Sequence, residues 1–124
     1  MDTAEVAPSW AAALSAAGIV SIVEARMAVE SDAARWAAER RTAQDLRVMG
    51  RALEERYARR DDPERLVASD LVFHRHIVAA AGNRVLLEMH DALAPHTRTA
   101  MIDLLRSGGA TSDTADHHLH VRIV

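Results

Sequence analysis

Three stop-and-start signals divide this chain, and between them the apolar residues recur with the period of a helix. In RTAQDLRVM, Thr42 followed three residues later by Asp45 has the form of a capping box. In RRDDPER, Asp62 stands as an N-cap with Pro63 in the first turn. In AAAGN, Gly82 can close one helix in the left-handed conformation and Asn83 can open the next. Before the first signal, Ile19, Ile22, Val23, Ala33, Ala34 and Ala37 share a face and predict a helix from about Ile19 to Arg40. Leu46, Met49, Leu53 and Tyr57 carry the second helix. Leu66, Val67, Asp70, Phe73, His74, Ile77 and Val78 carry the third to Ala81. RVLLEMHDALAPHTRTAMIDLL is the fourth, which Pro95 should kink or divide. After the loop SGGATSD, another helix is expected from about Thr114, still in apolar register at Val124.

Helices joined by short loops imply an all-α, antiparallel helical bundle. Residues 1–18, loose around Pro8, read as a tail or linker, and 19–124 as a single domain. The ending HHLHVRIV has neither cap nor polar tail, so the bundle is expected to be truncated at its C-terminus. Alanine abundance and only 3% aromatic residues suit close helix approach and leave too little β-branched and aromatic material for a sheet.

Charge and cysteine narrow the function. A net charge of -3 gives no basic field of the kind nucleic-acid binding needs. All 15 Lys+Arg residues are arginine, a pattern that resembles GC-rich codon usage more than a binding design. With no cysteine there is no disulfide or thiolate chemistry. No segment reaches the roughly 20 apolar residues of a membrane span, and MDTAEVAPSW is unlike a signal peptide, so a cytoplasmic location without membrane contact is expected.

Three polar intrusions interrupt the apolar faces. Asp70 and His74, at i and i+4, stack on one side of the third helix. They read either as an intrahelical hydrogen bond or as the oxygen and nitrogen ligands of a metal; His76 points elsewhere and reads as solvated. DHHLHVRIV adds Asp116, His117, His118 and His120, and Asp70, His74 and His120 together would make an Asp/His/His set suited to Zn, Ni, Mn or Fe. In EARMAVE, Arg26 and Glu30 are again i and i+4. They read as an ion pair at the core rim, or as a guanidinium for a carboxylate ligand steadied by Glu30.

In order along the chain, EARMAVESDAARWAAER, TAQDLRVMGRALEE, SDLVFHRHIVAAAGNRVL and HVRIV resemble the FCD domain, the C-terminal effector-binding domain of FadR-subfamily GntR transcription regulators. The most specific part is an Asp, then Phe-His, then Ala-Gly-Asn ahead of an apolar helix. The resemblance implies a non-enzymatic helical sensor in which an Asp and three His hold a divalent metal that meets a small organic acid. Carried over, the metal residues are Asp70, His74 and His120, with zinc the first expectation. The third family His falls beyond Val124, so metal binding by this chain is expected to be weak or absent. His90 and His96 are in range as substitutes, but Pro95 and their positions argue against that role. Arg26, Glu30 and Asn83 are the expected ligand-binding residues. The resemblance also implies a homodimer, with operator DNA reached only through a winged-helix domain that this sequence does not include.

Two rivals stand beside this reading. His74, His90-Asp91 and Asp116 resemble, superficially, the metal set of HD-type phosphohydrolases, but that leaves Arg26, Phe73 and the AGN triplet unexplained. A non-catalytic helical dimerisation module, with buried polar groups that only fix register, is the other.

Overall fold

A computed structural model describes residues 9–107 and is helical throughout apart from short connections. The helices are α1 (Trp10–Ala16), α2 (Ile19–Arg40), α3 (Ala43–Ala58), α4 (Pro63–Ala80) and α5 (Arg84–Arg106). Their ends are set by the residues that announce them. Thr42 and Asp45 form a reciprocal capping box, each side chain accepting from the other's backbone N–H. The Asp62 carboxylate caps α4 through the amides of Glu64 and Arg65, with Pro63 at the first helical position. Gly82 takes φ 69°, and Asn83 Oδ1 accepts from Val85 and Leu86 to start α5.

Two expectations are corrected. The segment before Ile19 contains a helix, α1, capped by Ser9 and anchored by Leu14, which is buried against Ile22, Val29, Leu93 and Ala100. Pro95 does not divide α5, which continues to Arg106. The proline sits on the exposed side, and Asp91, whose carbonyl loses its helical donor, is exposed one turn earlier. Water can serve that carbonyl, while Leu93, Thr97 and Ala100 hold the opposite side in the core. The segment expected to start a helix near Thr114 lies outside the described residues.

Contacts between helices fix their directions. Arg75 reaches Asp91 and Glu64 meets Arg106, so α4 and α5 run antiparallel. Arg26 faces Asp70 and Glu30 faces His74, while Ala33 packs with Val78, so α2 and α4 run parallel. Helix α4 touches α2, α3 and α5 and forms the centre of the bundle. Its apolar half carries Phe73, Ile77 and Ala80 into a core with Ala37, Met49, Ala52 and Leu53. Full burial of Phe73 alone contributes about 1.5–3 kcal/mol by transfer of its apolar surface.

Candidate functional site

Helices α2 and α4 bring their polar residues together because both repeat them at i and i+4 and the two helices run in the same direction. Arg26 and Glu30 on α2 therefore meet Asp70 and His74 on α4 in register. Arg26 is bidentate toward two carboxylates: Nε donates to Glu30 Oε2 at 2.8 Å and Nη2 to Asp70 Oδ2 at 2.7 Å. From α3, Arg56 Nε donates to Asp70 Oδ1, also at 2.7 Å. His74 lies between the two acids, with Nδ1 2.9 Å from Glu30 Oε1 and Nε2 3.4 Å from Asp70 Oδ1. From α5, His90 places Nε2 3.5 Å from Glu30 Oε2. Four helices thus meet at six side chains.

The cluster is buried, with Asp70 6% and Arg56 4% exposed, so its charges must neutralise one another. Burial opposes ionisation of Glu30, but hydrogen bonds from His74 and His90 and the nearby His74 and Arg26 charges outweigh it and hold the carboxyl well below its usual range. Burial likewise opposes the imidazolium of His74, yet its contacts with Asp70 and Glu30 raise its pKa. For Arg26, Asp70 and Glu30 outweigh the same penalty and raise it further. A polar atom without a hydrogen bond remains at the cluster: His90 Nδ1 is buried and lies 3.6 Å from Asp91 Oδ1, beyond hydrogen-bond reach.

Four of the six expected site residues are brought together: Arg26, Glu30, Asp70 and His74. Asn83 is not among them; it is exposed, and its side-chain oxygen is committed to capping α5. His120 lies outside the described residues, as do Asp116, His117 and His118. His76 is half-buried away from the cluster. Among the described residues, no three His, Asp or Glu side chains converge as a metal-binding group.

Arg56 is the member that sequence reasoning passed over, and His90 is one that it weighed only as a metal ligand and set aside. Arg56 sits in the charged run EERYARR, yet Met49, Ala52, Leu53 and Arg56 form an unbroken i, i+3, i+4, i+7 face, all buried. His90 continues the spacing of buried Leu93, Thr97 and Ala100 in the same way. In each case the helical period carries the signal and the residue type hides it. The His90-Asp91 pair does not behave as a metal dyad: Asp91 is exposed and held by Arg75 Nε and Nη2 at 2.9 and 3.0 Å.

A separate cavity of about 300 Å³ lies at the other end of α2, lined by Ala34, Ala37, Ala38, Arg41, Leu46, Met49 and Ile77. It is not continuous in residues with the charged cluster.

Comparison with known proteins bears on what such a cluster is for. Residues 21–124 match the family model of the FCD domain. The chain is 36% identical over 76 residues to the galactonate operon transcriptional repressor of Escherichia coli strain K12, covering 61% of this chain and 33% of that protein. It is 33% identical over 76 residues to the HTH-type transcriptional repressor NanR of Salmonella newport, covering 61% of this chain and 29% of that protein. The match thus spans about a third of the length of these relatives. No solved structure matches. The family model covers the whole charged cluster and most of the sequence, and the chain belongs to the FCD domain family, a family of regulatory domains and not of enzymes.

Proposed function

We propose that this chain is the effector-sensing part of a GntR-family transcription regulator and that it takes up a small organic acid at the Arg26–Glu30–Asp70–His74 cluster. One observation carries the reading: in a chain of this family, a bidentate arginine and an Asp/His pair are presented to each other by two parallel helices, inside a bundle that has no other comparable charge cluster among its described residues. Arg26 spends Nε on Glu30 and Nη2 on Asp70, so an effector carboxylate would meet its Nη1 or take the place of one of these acids, and Glu30 sets its orientation.

The Asp70–His74 pair supplies an oxygen and a nitrogen donor of the kind a divalent ion takes, a role His74 would fill only in its neutral form. The pair's Oδ1–Nε2 separation of 3.4 Å is that expected between neighbouring donors of a tetrahedral zinc, about 3.4 Å for bond lengths of roughly 2.1 Å. His120 is the proposed third ligand. Zinc is the first choice, with nickel, manganese or iron as alternatives. When bound, such an ion would supply Lewis-acid positive charge for an effector's carboxylate. The residues of the chain do the rest: Arg26 orients, Glu30 fixes Arg26, and burial strengthens each contact by keeping water away.

In the full regulator this domain would act as a homodimer in the cytoplasm, and a winged-helix domain would contact operator DNA. The domain performs no chemical step; an effector with different affinities for two arrangements of the dimer shifts their populations. No described helix is long and apolar enough to cross a membrane.

A thermal-shift screen of mono- and dicarboxylates, with and without zinc, tests the reading. Sugar acids are the first probes, since one relative is named for the galactonate operon. A binding acid at a hundred times its Kd should stabilise the domain by about 2.7 kcal/mol. Arg26→Gln should abolish the shift while circular dichroism still reports a helical fold. The absence of a shift with every acid, metal present, would sink the proposal.

A further inference from the structure

Helices α2 and α3 both pack on α4 but hardly on each other. The cavity of about 300 Å³ occupies the gap between them, beside the corner where α2 turns into α3. Its floor is Ala37, Met49 and Ile77, one buried residue from each of the three helices. Ala34 and Leu46 form half-buried sides, and Ala38 and Arg41 are exposed at the mouth. The gap persists because α2 offers alanines here, which are too short to reach across to α3.

The lining is chemically one-sided. Apart from Arg41, none of its side chains carries a nitrogen or an oxygen. A hydroxyl placed on the floor would therefore lose water without gaining a partner. Arg41 differs from the arginines of the charged cluster. Its Nη1 donates to the Ala38 carbonyl, which turns the guanidinium back over the end of α2. No carboxylate pairs with it among the described residues, so its other N–H groups are left for an anion. We infer that this cavity is a second small-molecule site, for a short apolar monocarboxylic acid whose chain lies on Ala37, Met49 and Ile77 and whose carboxylate meets Arg41. The volume is at the lower end of the range for ligand pockets and suits a chain of about four to six carbons. The chemistry is opposite to that of the charged cluster, where a hydroxylated acid finds polar partners. The two sites share their helices, since Ile77 follows His74 by three residues on α4 and Ala34 follows Glu30 by four on α2. A bound chain would join α2 to α3 directly. The inference does not rest on the organic-acid reading of the cluster, and either can fail alone.

The test is an NMR titration of the 124-residue chain with butanoate, pentanoate and hexanoate. Shift changes should centre on the methyl groups of Ala34, Ala38, Leu46, Met49 and Ile77 and spare Arg26. Affinity should rise about fourfold with each added methylene, the gain from burying one such group, until the cavity is full. Hexanamide, equal in length but uncharged, should bind about two- to fivefold more weakly, as befits an exposed ion pair. Arg41→Gln should erase that difference and leave hexanamide binding unchanged. Ala34→Leu, which puts a branched side chain into the gap, should abolish binding while circular dichroism still reports a helical fold. Shifts confined to the charged cluster, or an affinity indifferent to chain length, would overturn the site. Equal binding of acid and amide by the unsubstituted chain would overturn the role of Arg41 and with it the ligand class. Nuclear Overhauser contacts from the Ala34, Ala38 or Leu46 methyls to residues 108–124 of the same chain would overturn it as well, because the gap would then hold the chain itself. A sugar acid titrated in parallel separates the two proposals: shifts at Arg26 and Glu30 bear on the cluster alone, and shifts at the cavity methyls equal to those of hexanoate would overturn the apolar selection.

Discussion

Helices α2 and α4 meet twice, and the two meetings have opposite chemistry. In the first half of their contact, Arg26 and Glu30 face Asp70 and His74 through long charged side chains. In the second half, Ala33 and Ala37 pack with Ile77, Val78, Ala80 and Ala81, all buried, with Trp36 beside them and Arg40 Nη1 donating to the Ala81 carbonyl at the far end. The small residues allow the helices to approach closely, and that approach fixes the axial register. The charged half then inherits its alignment from the apolar half. A site of this kind needs no loop to position it, because a rigid contact two turns away does so.

The comparison is broken most severely at Asp70. Asp70→Asn removes the negative charge between two buried guanidiniums, and such uncompensated charge costs about 3–5 kcal/mol. Urea denaturation should show the loss at neutral pH, and the loss should change little with added salt because the pairs are shielded from solvent. A cost below 1 kcal/mol would mean that Asp70 is not the hub of the network.

The apolar half is tested next. Ala33→Leu forces methyl groups between α2 and α4, with an expected loss of about 1–3 kcal/mol. If the apolar contact sets the register, the same change should also weaken any carboxylate-induced thermal shift, although residue 33 lies outside the charged cluster. An unaltered shift would show that the charged half aligns itself.

Acidity gives the smallest and most selective separation. Glu30 has a depressed pKa in the folded state, so its contribution is present above its unfolded value of about 4.3 and is lost as pH falls toward the folded one. His74 has a raised pKa, so its contribution is complete below about 6.5 and is lost as pH rises through the folded value. Stability should therefore be highest between these two unfolded values and decline on both sides. His74→Gln should flatten the alkaline side, whereas Ala33→Leu should lower the whole curve without reshaping it. A curve whose alkaline side survives His74→Gln would assign that side to another group.

Much of this architecture could be read from residue order. The bounds Ile19 and Arg40, the Thr42–Asp45 box, the Asp62 cap and the Gly82–Asn83 turn are local signals, and local signals survive folding. Arg26 with Glu30 and Asp70 with His74 were legible as i, i+4 pairs for the same reason. Their mutual contact was not, because no spacing within one helix reveals which other helix it faces. The periods of α3 and α5 turn Arg56 and His90 inward but do not say what they meet there, and α1 persists because Leu14 finds a pocket made by α2 and α5. Pro95 allowed a kink or a break, and packing on the far side of α5 excludes the break.

The left-handed glycine at the α4–α5 turn has one more consequence. It makes that turn an origin from which α5 is counted. Each residue added to a helix rotates everything beyond it by about 100°. An insertion within the first turn of α5, between Leu87 and Glu88, would turn His90 away from Glu30 with every cap still formed, whereas an insertion between Ala17 and Gly18 would leave His90 where it is. Along this chain, tolerance to length change should therefore follow angular bookkeeping and not exposure: two surface turns can look equally permissive and differ completely in what they hold in phase.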